Sequence, residues 1–172
     1  RHLGTAAMVA AVFLVAQAWQ TRKVPTGAAP DFAVTVTRAD GSVATTTLAD
    51  WRAAHPGEPV ALHFWADWCP ICRTEEHSIT RLARDWPVMT VAMQSGNADK
   101  VGQVLRKRAL PWQAAVDARS EITRAHGFEA VPAFVVVDAA GQLRAPTVGY
   151  TTELGMRMRL WWVGLTGRLT GF

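Results

Sequence analysis

Cysteine is scarce in this chain: two residues in 172, at positions 69 and 72, with none left over. That scarcity excludes a scaffold stapled by several disulfides. It also argues against structural zinc, which takes about four ligands in a tetrahedron. No second cysteine pair exists, and His55, His63, His77 and His126 show no paired spacing. No basic stripe interleaves with aromatic residues, and the formal net charge of +4 is scattered, so nucleic acid is not an expected partner. Internal repeats and low-complexity tracts are missing as well. Charged residues make up only 19% against 49% hydrophobic, so most of the 172 residues should fold around one sizeable core with an appendage.

What is present centres on residues 64–73, Phe-Trp-Ala-Asp-Trp-Cys-Pro-Ile-Cys-Arg. Residues 60–65 are strand formers, apolar apart from His63, and fit a central strand covered on both faces. Residues 71–86 suit a helix. That order places Cys69 at the first turn of a helix just past a strand. Free amide N–H groups and the positive helix end there favour a thiolate over a thiol. Cys72 is one turn further on and within reach to close a disulfide. Pro70 is tolerated because a first-turn residue has no intrahelical donor to lose. Pro70 and Ile71 bring no charge, so they tune the pair through backbone geometry and packing.

Residues 3–19 form an apolar or small-residue run broken only by Gln17. As a helix it would span roughly 25 Å, slightly short of a ~30 Å hydrocarbon core. Trp19 would sit at an interface and Thr21, Arg22 and Lys23 would reach the headgroups. A transmembrane anchor over residues 1–20 is one reading. A removable signal segment is another, since Ala16-Gln17-Ala18 resembles a small-x-small cleavage site. Both of these readings export the rest of the chain to a compartment that permits disulfides; a buried core helix is the third reading, and an odd one ahead of a polar linker. Residues 21–31, with Pro25, Gly27 and Pro30, read as a linker.

The remaining residues, 32–172, read as one domain. Strands over 32–37 and 43–47 form a hairpin around Asp40-Gly41. A short helix over 48–55 precedes the strand at 60–65. The helix after the cysteines turns Ile79, Leu82, Ala83 and Trp86 inward and presents Arg73, Glu75, Glu76, Arg81, Arg84 and Asp85 to solvent. A buried strand over 88–93 follows, then a helix over 97–108 capped by Asn97, with Lys100, Arg106, Lys107 and Arg108 on its solvent face. Residues 110–116 are extended, 117–126 helical, 133–138 a third apolar strand, and 142–148 an antiparallel return. From Thr151 the chain is helical, with Leu154, Met158, Trp161, Trp162 and Leu165 able to share one face. The sum is an α/β domain with a mixed sheet and helices on both faces.

The stretches Trp68-Cys-Pro-Ile-Cys72-Arg and Val131-Pro-Ala-Phe-Val-Val-Val-Asp138 resemble the membrane-tethered thioredoxin-like thiol–disulfide oxidoreductases of bacterial envelopes. Together with residues 149–162 they are most similar to the suppressor-of-copper-sensitivity type; the TlpA-like and cytochrome c maturation thioredoxins are related. The cytochrome c maturation group usually carries an acidic residue after the proline, where this chain has Ala133. The resemblance implies a thioredoxin fold with an added N-terminal hairpin, catalysis by Cys69 as nucleophile and Cys72 as resolving thiol, and no cofactor. It implies that Pro132 is a cis-proline beside the dithiol and that the Val131 backbone pairs with an extended substrate peptide. Trp68 would serve as a flat platform for partners. His63 departs from the pattern: thioredoxins commonly place a buried acid there, and an imidazole with an ordinary pKa of about 6.5 could relay the proton of the resolving thiol instead. It could equally be a core histidine. Glu129 is a weaker candidate for a carboxylate near the site.

Three functions follow as expectations. The first is an enzyme in the periplasm, held at the inner membrane, that reduces protein disulfide substrates and is recharged by a membrane electron-donor thiol protein, in copper tolerance or cytochrome c maturation. The second is a copper-binding thiol protein, since Cu(I) favours soft sulfur ligands and Met156 and Met158 are the nearest thioethers in sequence. The third, a non-catalytic peptide binder, sits badly with an intact dithiol.

Overall fold

Short runs of β-branched and apolar residues, separated by turn residues, build a seven-stranded sheet. A computed structural model describes residues 2–170 of the protein, apart from the side chains of residues 2, 3, 6, 10, 13 and 168–170. Residues 1, 171 and 172, the ends of the spans expected from the sequence, lie outside the described residues. In chain order the elements are α1 (His2–Gln20), β1 (Ala33–Arg38), β2 (Val43–Thr47), α2 (Leu48–Ala53), β3 (Val60–Trp65), α3 (Pro70–Asp85) and β4 (Val88–Met93). They continue with α4 (Ala98–Lys107), β5 (Gln113–Asp117), α5 (Glu121–Ala125), β6 (Ala133–Val137), β7 (Leu143–Val148) and α6 (Glu153–Thr170).

The strand order is β2-β1-β5-β4-β3-β6-β7. The central strands β3, β4 and β5 are parallel, and the remaining pairings are antiparallel. Stepping from β3 to β4 to β5 in one direction by right-handed crossovers puts α3 and α4 on the same face. That face buries Trp65, Ile79, Leu82, Val101, Leu105, Met156 and Leu160 around the two cysteines. The other face buries Leu62, Phe64, Val135, Ile122 and Phe128, with Val24 of the linker and Leu48 of α2. β3 is buried along its whole length, as its apolar run requires. The mixed sheet and the N-terminal hairpin expected from the sequence are both present.

Residues 110–116 turn out to supply an inner strand. β5 lies between β1 and β4 and joins the hairpin to the parallel core. Asp117 closes that strand instead of opening a helix, and its carboxylate accepts from the N–H groups of Ile122 and Thr123 at the start of α5. α6 buries Met156, Leu160 and Val163, a single stripe at helical spacing, and leaves Leu154, Met158, Trp161, Trp162 and Leu165 exposed. The helix has more apolar residues than the sheet has room for, so the expected broad face is not the packed one.

The N-terminal run does form a helix, α1, as expected, but the structure lends the expected transmembrane anchor no support. Among the described residues no helix is long and apolar enough to cross a membrane. Nineteen residues give roughly 28 Å of helix, and Gln17 interrupts its apolar run. Gln17 is spent on the domain: its amide nitrogen donates to the Val148 carbonyl at 3.0 Å, and its oxygen accepts from Thr147 Oγ1 at 3.0 Å. Gly27 and Ala29 pair with Leu143 and Gly141 near the start of the same strand. The outer edge of β7 is thus covered near both ends, which removes a template for unwanted strand addition.

Candidate active site

β3 ends at Trp65, and a tight turn closed by the Cys69 N–H on the Ala66 carbonyl (3.2 Å) delivers the chain to α3. Cys69 is the N-cap of α3: its backbone is extended, and its sulfur accepts from the Cys72 N–H at 3.1 Å. Pro70 occupies the first turn. Cys69 and Cys72 are joined as a disulfide, with Cα atoms 5.3 Å apart. The two residues are 3% and 2% exposed, while Trp68 and Ile71, their neighbours in sequence, and Tyr150, next to the Glu75-bonded Thr151, are exposed by half or more. Pro70 is exposed too. The pair is thus buried while its neighbours in sequence, Trp68, Pro70 and Ile71, are exposed.

The other side of the site is the segment before β6. The Val131–Pro132 peptide is cis, as the resemblance implies, and Cys69 Sγ lies 3.8 Å from the Val131 carbonyl oxygen. The structure therefore brings together Trp68, Cys69, Pro70, Cys72, Val131 and Pro132. Glu129 is not part of this group. It is exposed and bonded to Lys23 at 2.7 Å, and that ammonium holds its carboxyl below the usual range.

His63 points from β3 into the face that holds the cysteines. It is 1% exposed, and neither ring nitrogen has a partner among the described residues. Its ring meets Trp112 edge-on at 6.2 Å. Burial without a compensating partner pushes its pKa down to about 3, so the ring is neutral at physiological pH.

Glu75 corrects the sequence reading, which placed it in solvent. It is 1% exposed and accepts from the Thr151 N–H at the entry to α6. Burial lifts its carboxyl to about 7, with the Thr151 bond pulling the other way. It stands one helical turn beyond Cys72 on the same stripe as Ile79 and Leu82. That spacing, 72-75-79-82, was the signal available in the sequence. Arg108 is likewise not a solvent residue: it reaches the turn ahead of Cys69 and Glu76 of α3. No group of three or more metal-ligating side chains occurs among the described residues. Met156 shares the core cluster with the cysteines, but Met158 faces solvent.

Residues 25–145 match the AhpC/TSA family model. The "Thioredoxin-like protein" of Haemophilus influenzae is 29% identical over 111 residues, 64% of this chain and 66% of that protein. The "Thiol:disulfide interchange protein DsbE homolog" of Paracoccus denitrificans is 31% identical over 97 residues, 56% of this chain and 53% of that one. The matches thus span about half to two thirds of these relatives' length. Among solved structures, a putative thiol:disulfide interchange protein DsbE from Chlorobium tepidum superposes with a TM-score of 0.66 at 21% identity, covering 82% of this chain and 99% of that one. That likeness establishes the thioredoxin-like fold.

Proposed function

The chain belongs to the AhpC/TSA family, and on that premise we propose that it is a thiol–disulfide oxidoreductase acting on protein substrates through the Cys69–Cys72 pair. The observation that carries the proposal is the placement of Cys69: its sulfur caps the N-terminus of α3 and lies beside the Val131 carbonyl. In the reduced protein the same Cys72 N–H and the helix end stabilise a thiolate on Cys69.

The reaction runs in two displacements. The Cys69 thiolate attacks one sulfur of a substrate disulfide, forming a mixed disulfide and releasing the other substrate sulfur as a thiolate. The Cys72 thiolate then attacks Cys69 Sγ, closing the protein's own disulfide and expelling the second substrate sulfur. Two electrons pass to the substrate, and two protons follow to its thiols. Cys72 is buried and must shed its proton before it attacks. A neutral imidazole held near pKa 3 is a poor store for that proton, so the acceptor is Glu75 rather than His63. A carboxyl near 7 takes up and returns a proton at neutral pH.

The substrate is an extended peptide segment lying along Val131, with Trp68, Ile71 and Tyr150 as its apolar seat. The chain works as a reductant in a compartment that permits disulfides, the periplasm, and a reducing thiol protein of the membrane recharges it. Copper tolerance and cytochrome c maturation are the two processes that fit. Catalysed insulin reduction by dithiothreitol is the test: Cys69→Ser should abolish it, and retained activity would remove the proposal.

A further inference from the structure

We propose that Arg108 is a positioning residue for Cys69, acting through the turn that precedes it; the proposal rests on the reading of Cys69 as the nucleophile. The turn over Ala66–Cys69 is fixed at its ends by the Cys69 N–H to Ala66 carbonyl bond. Such a bond leaves the central peptide free to flip between turn types. Here that central carbonyl belongs to Asp67, and Arg108 Nη2 donates to it at 2.7 Å. The other arm of the guanidinium, Nη1, is bonded to Glu76 Oε1 at 2.8 Å. Both side chains of that ion pair are under a fifth exposed, at 17% and 18%. One planar fork therefore ties the turn to α3 itself, on the two sides of the dithiol.

The remaining bonds to the turn leave this one job undone. Ser95 Oγ accepts from the Asp67 N–H at 2.9 Å, Lys100 pairs with the Asp67 carboxylate at 3.2 Å, and Trp68 Nε1 donates to the Gln94 carbonyl at 3.3 Å. None of them touches the Asp67 carbonyl. Arg108 is itself aimed by the end of α4. Ala109 takes a left-handed backbone, φ +52°, in a place where glycine is the usual residue. The Leu110 N–H then closes on the Leu105 carbonyl, and Leu110 is buried. A non-glycine residue held in that conformation is kept there by its surroundings. Lysine could not replace the fork, being a point charge with no second planar arm.

Freeing the turn loosens the N-cap sulfur from the Cys72 N–H, so the thiolate loses stabilisation. The groups that face the pair electrostatically are Arg108, Lys100, Asp67, Glu76, Glu75 and His63, and the test must separate a positional effect from a change of charge. Full-length chain carrying Cys72→Ser leaves Cys69 as the single thiol, and its iodoacetamide reaction rate is measured from pH 4 to 9. Arg108→Gln and Arg108→Lys should each cut the thiolate fraction about tenfold below the midpoint, and Glu76→Gln, which frees one arm, about threefold. Arg106→Gln, which removes a neighbouring charge bonded to Ala39, should leave the profile in place. In the intact pair, at a pH above both midpoints, the same tenfold loss of thiolate stabilisation lowers the reduction potential by about 30 mV, because the reduced form is the one destabilised.

Profiles that superpose for both Arg108 variants overturn the proposal, as does an Arg106→Gln shift equal to that of Arg108→Gln. Should Arg108→Gln not fold, Arg108→Lys and Glu76→Gln decide the matter. An ordinary thiol midpoint near 8.5 with Arg108 in place would instead sink the reading of Cys69 as an activated nucleophile.

Discussion

Replacing Glu75 by glutamine should change how stability depends on pH in a way no surface carboxylate could. Burial raises this carboxyl from 4.5 to about 7 in the folded protein. A folded-state value above the unfolded one means that the native chain holds a proton the unfolded chain has lost between those two pH values. Stability therefore falls as pH climbs from 4.5 to 7 and stays low above it. At roughly 1.4 kcal/mol for each pH decade, the ionised form is penalised by about 3 kcal/mol. Glutamine keeps an oxygen for the Thr151 N–H but cannot ionise. It also buries an amide NH2 with no evident acceptor, a fixed loss of about 1–2 kcal/mol at every pH. The variant should thus be the weaker protein at pH 5 and match or exceed the parent at pH 8. The assay is urea unfolding of the oxidised chains, in which the cysteines do not titrate, from pH 5 to 9. Contributions from His63 and His126 are common to both chains and cancel in the difference. A difference that stays flat across that range would refute both the buried carboxyl and its part in the resolving step.

His63→Leu should behave in the opposite sense. The imidazole is pushed down to about 3, so the parent loses stability as pH falls below 6.5, by about 2 kcal/mol at pH 5, and the leucine variant should lose that part of its acid sensitivity in melts at pH 5 and 7.5. Gly127→Ala should cost more than about 2 kcal/mol in urea unfolding, because Gly127 sits at φ +78° and a Cβ there would strike the Lys23 carbonyl of the linker; a neutral result would mean that the linker is not seated over α5. Trp68→Ala should leave the melting temperature nearly unchanged, since the ring is 56% exposed, yet raise KM for a protein disulfide while sparing a small one such as oxidised glutathione. Equal effects on both substrates would remove Trp68 from the partner-facing rim.

Much of the fold was legible because the chain is locally consistent. The apolar run of β3, the Asp40-Gly41 hairpin and the Asn97 cap each read the same way in sequence and in space. The cysteines and Val131–Pro132 were legible from their spacing and resemblance. Elements whose place depends on tertiary partners were not. β5 is alanine-rich, with Ala114 and Ala115 fully buried, and its strand character comes from β1 and β4 on either side. Glu75 and Arg108 looked like ordinary surface charges, because the Thr151 N–H and the Asp67 carbonyl that draw them inward are 76 and 41 residues away in sequence. The N-terminal run was apolar enough to suggest a membrane span, but Gln17 owes its place to an edge strand 131 residues on.

The central claim, that a thiolate on Cys69 captures the substrate and Cys72 releases it, is tested most directly by trapping. Reduced Cys72→Ser protein is mixed with a disulfide-bonded peptide and the products are mapped by mass spectrometry. A stable mixed disulfide through Cys69, dissolved by added dithiothreitol and missing in Cys69→Ser, is the predicted outcome. No adduct at Cys69, or an equal yield of adduct at Cys72 in the Cys69→Ser chain, would contradict it.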